Sequence, residues 1–133
     1  MSHTKLSSPS LAAFQAEIKE AVPEIASLQT VAQPTRVLFR YGFQAEPDKS
    51  TRLDIVKRTD RYMDTEAFQS EVLASYYNSY SKEERIPPDI ALPMDTDLDG
   101  EADFEYFAAL NEDGDWVWWY SDYKNKPERV ELP

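Results

Sequence analysis

FEYFAALNEDGDWVWWY, residues 104–120, decides how this chain folds. Its two halves, 104–110 and 116–120, are dense in aromatic and apolar residues that favour strands. The Asp113-Gly114 pair between them is a strong short-range hairpin signal. A two-residue turn there sets Leu110 opposite Val117, Ala108 opposite Trp119 and Tyr106 opposite Ser121 on one side. The other side then holds Trp116, Ala109 with Trp118, and Phe107 with Tyr120. Both sides are apolar, and a sheet with one helical layer hides only one face. Either the hairpin is covered on both sides, or one aromatic face is exposed. The same pairing sets Glu112 against Asp115 and Glu105 against Asp122. Like charges opposed across a ladder destabilise it, so either the register differs or cations relieve the repulsion.

Working outward, residues 90–94 form a short apolar run, and 130–132 suit a short edge strand. Upstream, Val37, Phe39, Tyr41 and Phe43 alternate as a strand does. Residues 46–50 read as a turn and 53–62 as the partner strand of a second hairpin. Two helices flank that pair. In the first, Leu11, Phe14, Ile18, Val22, Ile25 and Leu28 recur at three- and four-residue steps, with Ser8-Pro9 as N-cap and first-turn pair and a kink or restart at Pro23. In the second, Asp64 is the expected N-cap and Phe68, Val72, Tyr76 and Tyr80 the buried stripe. Lys82 and Arg85 suit its C-terminal end, and Pro87-Pro88 stops it. The expected architecture is α+β: two helices on one face of an antiparallel sheet of about four to six strands.

A chain of 133 residues fits one domain, with roughly two-thirds of its unfolded surface buried on folding. The first eight residues are expected to be mobile. At 13% aromatic residues the chain resists a reading as disordered. The absence of cysteine excludes disulfides, thiolate metal sites and cysteine nucleophiles. No apolar run approaches the ~18 residues of a membrane span and no secretory leader is visible, so a cytoplasmic setting is expected.

The net charge of -11 is unevenly distributed. Residues 86–123 carry 11 acids and no Lys or Arg, whereas the remaining acids and bases cancel at 14 each. Such a chain is a poor binder of nucleic acid or anionic membrane, and its acidic segment fits a basic partner. Trp and Tyr are frequent hot-spot residues, and acids around them add specificity and steering. The candidate partner-binding residues are therefore Glu105, Phe107, Glu112, Asp113, Asp115, Trp116, Trp118, Tyr120 and Asp122.

Within that segment lies Asp95-Thr96-Asp97-Leu98-Asp99-Gly100-Glu101-Ala102-Asp103. Calcium takes six to eight hard oxygen ligands. Carboxylates at alternate positions of a tight loop converge on one ion, and Gly100 permits the turn. The candidate ligands are Asp95, Asp97, Asp99, the backbone carbonyl of Glu101, and Asp103. The run resembles the first nine positions of the EF-hand loop, departing from it at Tyr106, where that loop has its bidentate Glu. Its strand-like flanks make it more similar to the Asp-x-Asp-x-Asp-Gly-x-x-Asp loops of integrin-type FG-GAP repeats. That resemblance implies Ca²⁺ binding at Asp95, Asp97, Asp99 and Asp103, and covers nine residues only.

Catalysis is not expected. His3 is the sole histidine, and phosphate-binding glycine loops, nucleophile elbows and His-Glu-x-x-His are all absent. Two functions follow from the sequence. The first is a small acidic binding or inhibitor protein, similar in size and charge to immunity proteins and nucleic-acid mimics, whose partner is a basic toxin or nucleic-acid-binding protein. The second is a calcium-stabilised structural or adhesion module.

Overall fold

A computed structural model describes residues 3–80 and 86–133. The elements run β1 (Thr4–Lys5), α1 (Pro9–Ala21), β2 (Ile25–Gln33), β3 (Arg36–Phe43) and α2 (Lys49–Met63). A π-helical turn (Phe68–Leu73) continues into α3 (Ala74–Ser79), followed by β4 (Asp89–Asp95), β5 (Phe104–Leu110), β6 (Trp116–Ser121) and β7 (Glu128–Val130). Strands β1 to β7 form a single seven-stranded sheet in chain order. Every neighbouring pair is antiparallel except β3 and β4, which are parallel. The α+β class holds, but the described residues form three helices where two were expected, and the sheet is mixed and larger than four to six strands. The parallel pair follows from the helical crossover between β3 and β4, since a tight turn joins only antiparallel neighbours.

Ser8 and Pro9 open α1 as anticipated, with Ser8 Oγ accepting from Leu11 N at 3.1 Å. Pro23 ends the helix instead of kinking it. The residue before a proline is driven out of the helical region, and Val22 sits at φ -128°, ψ 85°. Ile25 and Leu28 therefore belong to β2, whose partner is β3 across a turn at Pro34-Thr35. Thr35 takes a positive φ of 71° there; its N–H donates to the Tyr76 hydroxyl, and its carbonyl accepts from Asp89 N. Residues 4–6 are held to the sheet as well: Thr4 and Lys5 pair with Ala32 and Val31, and Leu6 N donates to Thr30 O.

Residues 53–62, expected as a strand, are helical in α2. Asp48 caps that helix through Oδ1 to Thr51 N at 2.9 Å, and Ile55, Val56, Thr59, Tyr62 and Met63 are buried at helical spacing. The β-branched Ile55-Val56 pair is overridden by burial on the sheet. Asp64 ends α2 instead of starting the next helix; Thr65 Oγ1 takes the capping role, accepting from Phe68 N. Of the expected buried stripe, Phe68, Val72 and Tyr76 are buried and Tyr80 is half-buried, while Lys82 and Arg85 lie outside the described residues.

The helices cover one face of the sheet. Phe14 of α1 stacks on Tyr62 of α2 at 4.7 Å and meets Phe39 of β3 edge-on at 5.8 Å. These rings join strand residues such as Val37, Leu92, Ala108 and Trp118 in one core. No helix among the described residues is long and apolar enough to cross a membrane.

The β5–β6 hairpin forms, but one residue out of the expected register. Gly114 N donates to Asn111 O at 3.1 Å, Gly114 takes φ +82°, and Asn111 N pairs with Asp115 O. This is a turn followed by a left-handed bulge residue, a three-residue loop in place of a two-residue one. Asn111 Oδ1 fixes it by accepting from the N–H groups of Asp113 and Asp115. The pairs are consequently Leu110 with Trp116, Ala108 with Trp118, Tyr106 with Tyr120, and Phe107 with Trp119. A one-residue slip exchanges the faces. Trp116, Trp118 and Tyr120 turn to the helical core, while Phe107 and Trp119 turn away from it. Glu105 faces Ser121, so the anticipated clash with Asp122 does not arise.

Candidate functional site: the open sheet face and its acidic ends

Successive ladder pairs place one residue from each strand in a row across the open face: Lys5, Val31, Leu38, Ala91, Phe107, Trp119 and Arg129. Its middle is apolar and its ends basic. Val31, Leu38 and Ala91 are buried although no helix covers them; Phe107 and Trp119 are half-buried.

A polar clamp roofs the centre. Arg36 Nη2 donates to Glu105 Oε2 at 2.6 Å, and the Tyr123 hydroxyl donates to Glu105 Oε1 at 3.1 Å. Arg36 pairs with Asp89 on β4, Glu105 pairs with Pro93 two steps beyond Ala91, and β4 lies between their strands. The ion pair therefore crosses the sheet diagonally over Ala91. Glu105 is 5% exposed within this clamp, and Ala91, 0% exposed, packs between Leu38 and Phe107 on a face that no described helix covers. Burial raises the Asp89 carboxyl above its usual value, with Arg36 opposing the rise and the Glu105 charge adding to it. Burial and the adjacent Glu105 likewise push the Tyr123 hydroxyl up.

Acids collect at both ends of strands β5 and β6. The hairpin holds Glu112, Asp113 and Asp115, all exposed. The opposite end carries the 95–103 loop and the turn after β6. In that turn, hydrogen bonds from Asn125 and from the Lys124 backbone hold Asp122 down to about 2.

The 95–103 loop is built on its own carboxylates. Asp95 Oδ2 accepts from Gly100 N at 2.9 Å and Asp99 Oδ1 from Glu101 N at 2.9 Å, while Asp103 Oδ2 accepts from both Thr96 N and Thr96 Oγ1. Asp95, Asp97 and Asp99 each bring one oxygen to a common locus, the three lying within 4.8 Å of one another. Asp103 closes the loop through Thr96 instead of joining that cluster. Partial loss of solvent acts upward on Asp95, but its hydrogen bonds from Gly100 and neighbours outweigh this and leave it below its usual value. Asp97 is raised by the same loss of solvent, then by its contact with Asp95 and the charges of Asp103 and Asp99. Leu98, at φ 56°, folds back toward the sheet. A Cβ at Gly42 would come within 3.0 Å of Leu98 Cδ2 and 2.6 Å of Ser27 Oγ, so a side chain there requires both to shift. Between the loop and β2–β3 lies a groove of about 910 Å³ whose lining includes Ser27, Gln29, Arg40, Pro93 and Asp95.

Among the partner-binding candidates, the structure brings Glu105 and Phe107 to the open face and leaves Glu112, Asp113 and Asp115 exposed at its end. Trp118 is 3% exposed in the core, where Nε1 donates to Asp60 Oδ1 at 2.9 Å, and so presents no contact surface. Trp116 and Tyr120 pack against the same core from the helical side. Sequence reasoning missed Trp119, Arg36 and Tyr123 at the open face. The register signal for Trp119 was Asn111, whose side chain favours the longer turn. Arg36 and Tyr123 meet Glu105 only through the fold.

The chain matches no protein-family model, no curated protein and no solved structure.

Proposed function

We propose that this chain is a small acidic, non-enzymatic binding protein whose C-terminal third engages a basic protein, a toxin or a nucleic-acid-binding protein being the kind of partner its charge fits. The observation that carries the reading is the gathering of carboxylates at the two ends of β5 and β6, with apolar residues between them on the open face. A fixed array of net negative charge raises encounter rates with basic partners and disfavours acidic ones. The test is selection from a displayed random-peptide library on the immobilised protein, followed by titration in rising salt. Expected binders are rich in Lys and Arg and weaken steeply with salt. Neutral or acidic binders, or a salt-independent Kd, refute the proposal.

A second reading, a calcium-stabilised module, is favoured by the convergence of Asp95, Asp97 and Asp99 within 4.8 Å. An ion bound only by the folded loop stabilises the fold by mass action. Millimolar Ca²⁺ is expected to raise Tm, with reversal by chelator and no response in the Asp97→Asn, Asp99→Asn double variant. Equal melting with Ca²⁺ and with chelator removes this reading.

A further inference from the structure

We propose that the open face of β5 and β6 is the seat of a basic amphipathic helix of the partner, with Phe107, Ala109, Val117 and Trp119 as its floor. The inference rests on the basic-partner reading and assigns it a surface and a ligand shape. Four features carry it.

The first is an unpartnered apolar patch. Phe107 pairs with Trp119 and Ala109 with Val117, all four are half-buried, and they lie on the face away from the helices. Secondly, the patch is bounded. Toward β3 the neighbouring apolar residues Ala91, Leu38 and Val31 are buried, so the accessible apolar surface is confined to β5 and β6.

The third feature is the charge at its ends. Glu112, Asp113 and Asp115 stand in the hairpin loop at one end, and Asp89 begins β4 there. Asp97, Asp99, Glu101, Asp103 and Asp122 stand at the other, with Lys124 and Lys126 in the same turn offsetting two of these five. Both strand ends are net acidic, while Arg129 of β7 stands beside Trp119 and Arg36 beside Asp89. An apolar centre between acidic ends is the anatomy of a specific interface, and those ends call for basic groups at the two ends of the partner.

The fourth feature is size. From Glu105 to Leu110 the strand advances about 17 Å, the length of about 11 helical residues. A three-turn helix laid along the strands thus places its apolar stripe on the patch and Lys or Arg near both acidic ends. Helix-in-surface recognition by i, i+3, i+4 and i+7 anchors supplies the apolar contacts.

The probe is a synthetic peptide of about 16 residues with a Leu stripe and Lys flanks, compared with a scrambled peptide of the same composition. Binding is followed by Trp fluorescence and by backbone amide NMR shifts on the unaltered protein. The stripe peptide is expected to bind about tenfold or more tightly than the scrambled one, with shifts concentrated in β5 and β6. Trp119→Gln and, separately, Val117→Gln are expected to weaken it about tenfold while circular dichroism shows the fold intact. If both peptides bind alike and salt-dependently, or if the shifts fall outside β5 and β6, the helix seat is overturned while the basic-partner reading stands. If no basic peptide binds at low salt, both are overturned.

Discussion

Replacing Arg36 with Met removes the cation from a buried carboxylate and leaves its surroundings in place. Glu105 has a side chain 7% exposed and then retains one partner, the Tyr123 hydroxyl at 3.1 Å. Breaking a buried pair from one side costs about 3–5 kcal/mol, because an unpaired charge remains out of water. The Arg36 side chain is 32% exposed, which lowers the expected loss to about 2.5 kcal/mol. Unfolding entropy near 2.1 cal/mol/K per residue amounts to about 0.28 kcal/mol/K for 133 residues, so Tm falls by about 9 °C. Thermal unfolding by circular dichroism, with a denaturant series to confirm an unchanged m-value, measures this. The double variant Arg36→Met, Glu105→Leu is expected to recover most of the loss, since an apolar pair suits the buried site over Ala91. A single variant melting within about 2 °C of wild type, or a double variant no better than the single, would refute the argument that the clamp holds a desolvated charge.

Three further outcomes follow from other parts of the fold. Gly114→Ala is expected to destabilise by about 1 kcal/mol in chemical denaturation and Gly114→Asn by less, because the cost lies in the left-handed backbone: φ is +82° and nothing stands within 4 Å of an added Cβ. Trp118→Phe is expected to lose about 2 kcal/mol through the missing bond to Asp60 and the unfilled core volume, with near-ultraviolet circular dichroism reporting the changed packing. Asp122 titrates at about 2 in the folded chain against an ordinary 3.8, so its contribution is complete above pH 3.8 and is lost as pH falls through 2. Carboxyl-carbon NMR should place its midpoint near that value, and Asp122→Ala should flatten the acid limb of the stability curve; a midpoint at the ordinary value contradicts the hydrogen-bonded geometry.

Local signals served well where one residue type controls the backbone. Ser8-Pro9 opens α1 as expected, and Asp113-Gly114 marks the β5–β6 turn. Signals failed where neighbours far along the chain decide. Residues 53–62 carry β-branched side chains, yet helical spacing matches the surface they cover. Ile25 and Leu28 continue the α1 periodicity in sequence, yet Pro23 releases them to the sheet.

The sequence alone determined the layering, the hairpin, the Asp-rich loop and the concentration of 11 acids in residues 86–123, because these rest on composition, turn chemistry and nearest-neighbour pattern. The folded structure showed which tryptophan faces outward, a choice that the Asn111 side chain makes locally. That choice turned on one residue of turn length, and in a strand of period two a single step moves every side chain to the opposite face. Tertiary structure decided that Arg36, Glu105 and Tyr123, separated by up to 87 positions, meet above Ala91. Only the sheet's strand order brings those groups within reach of one another.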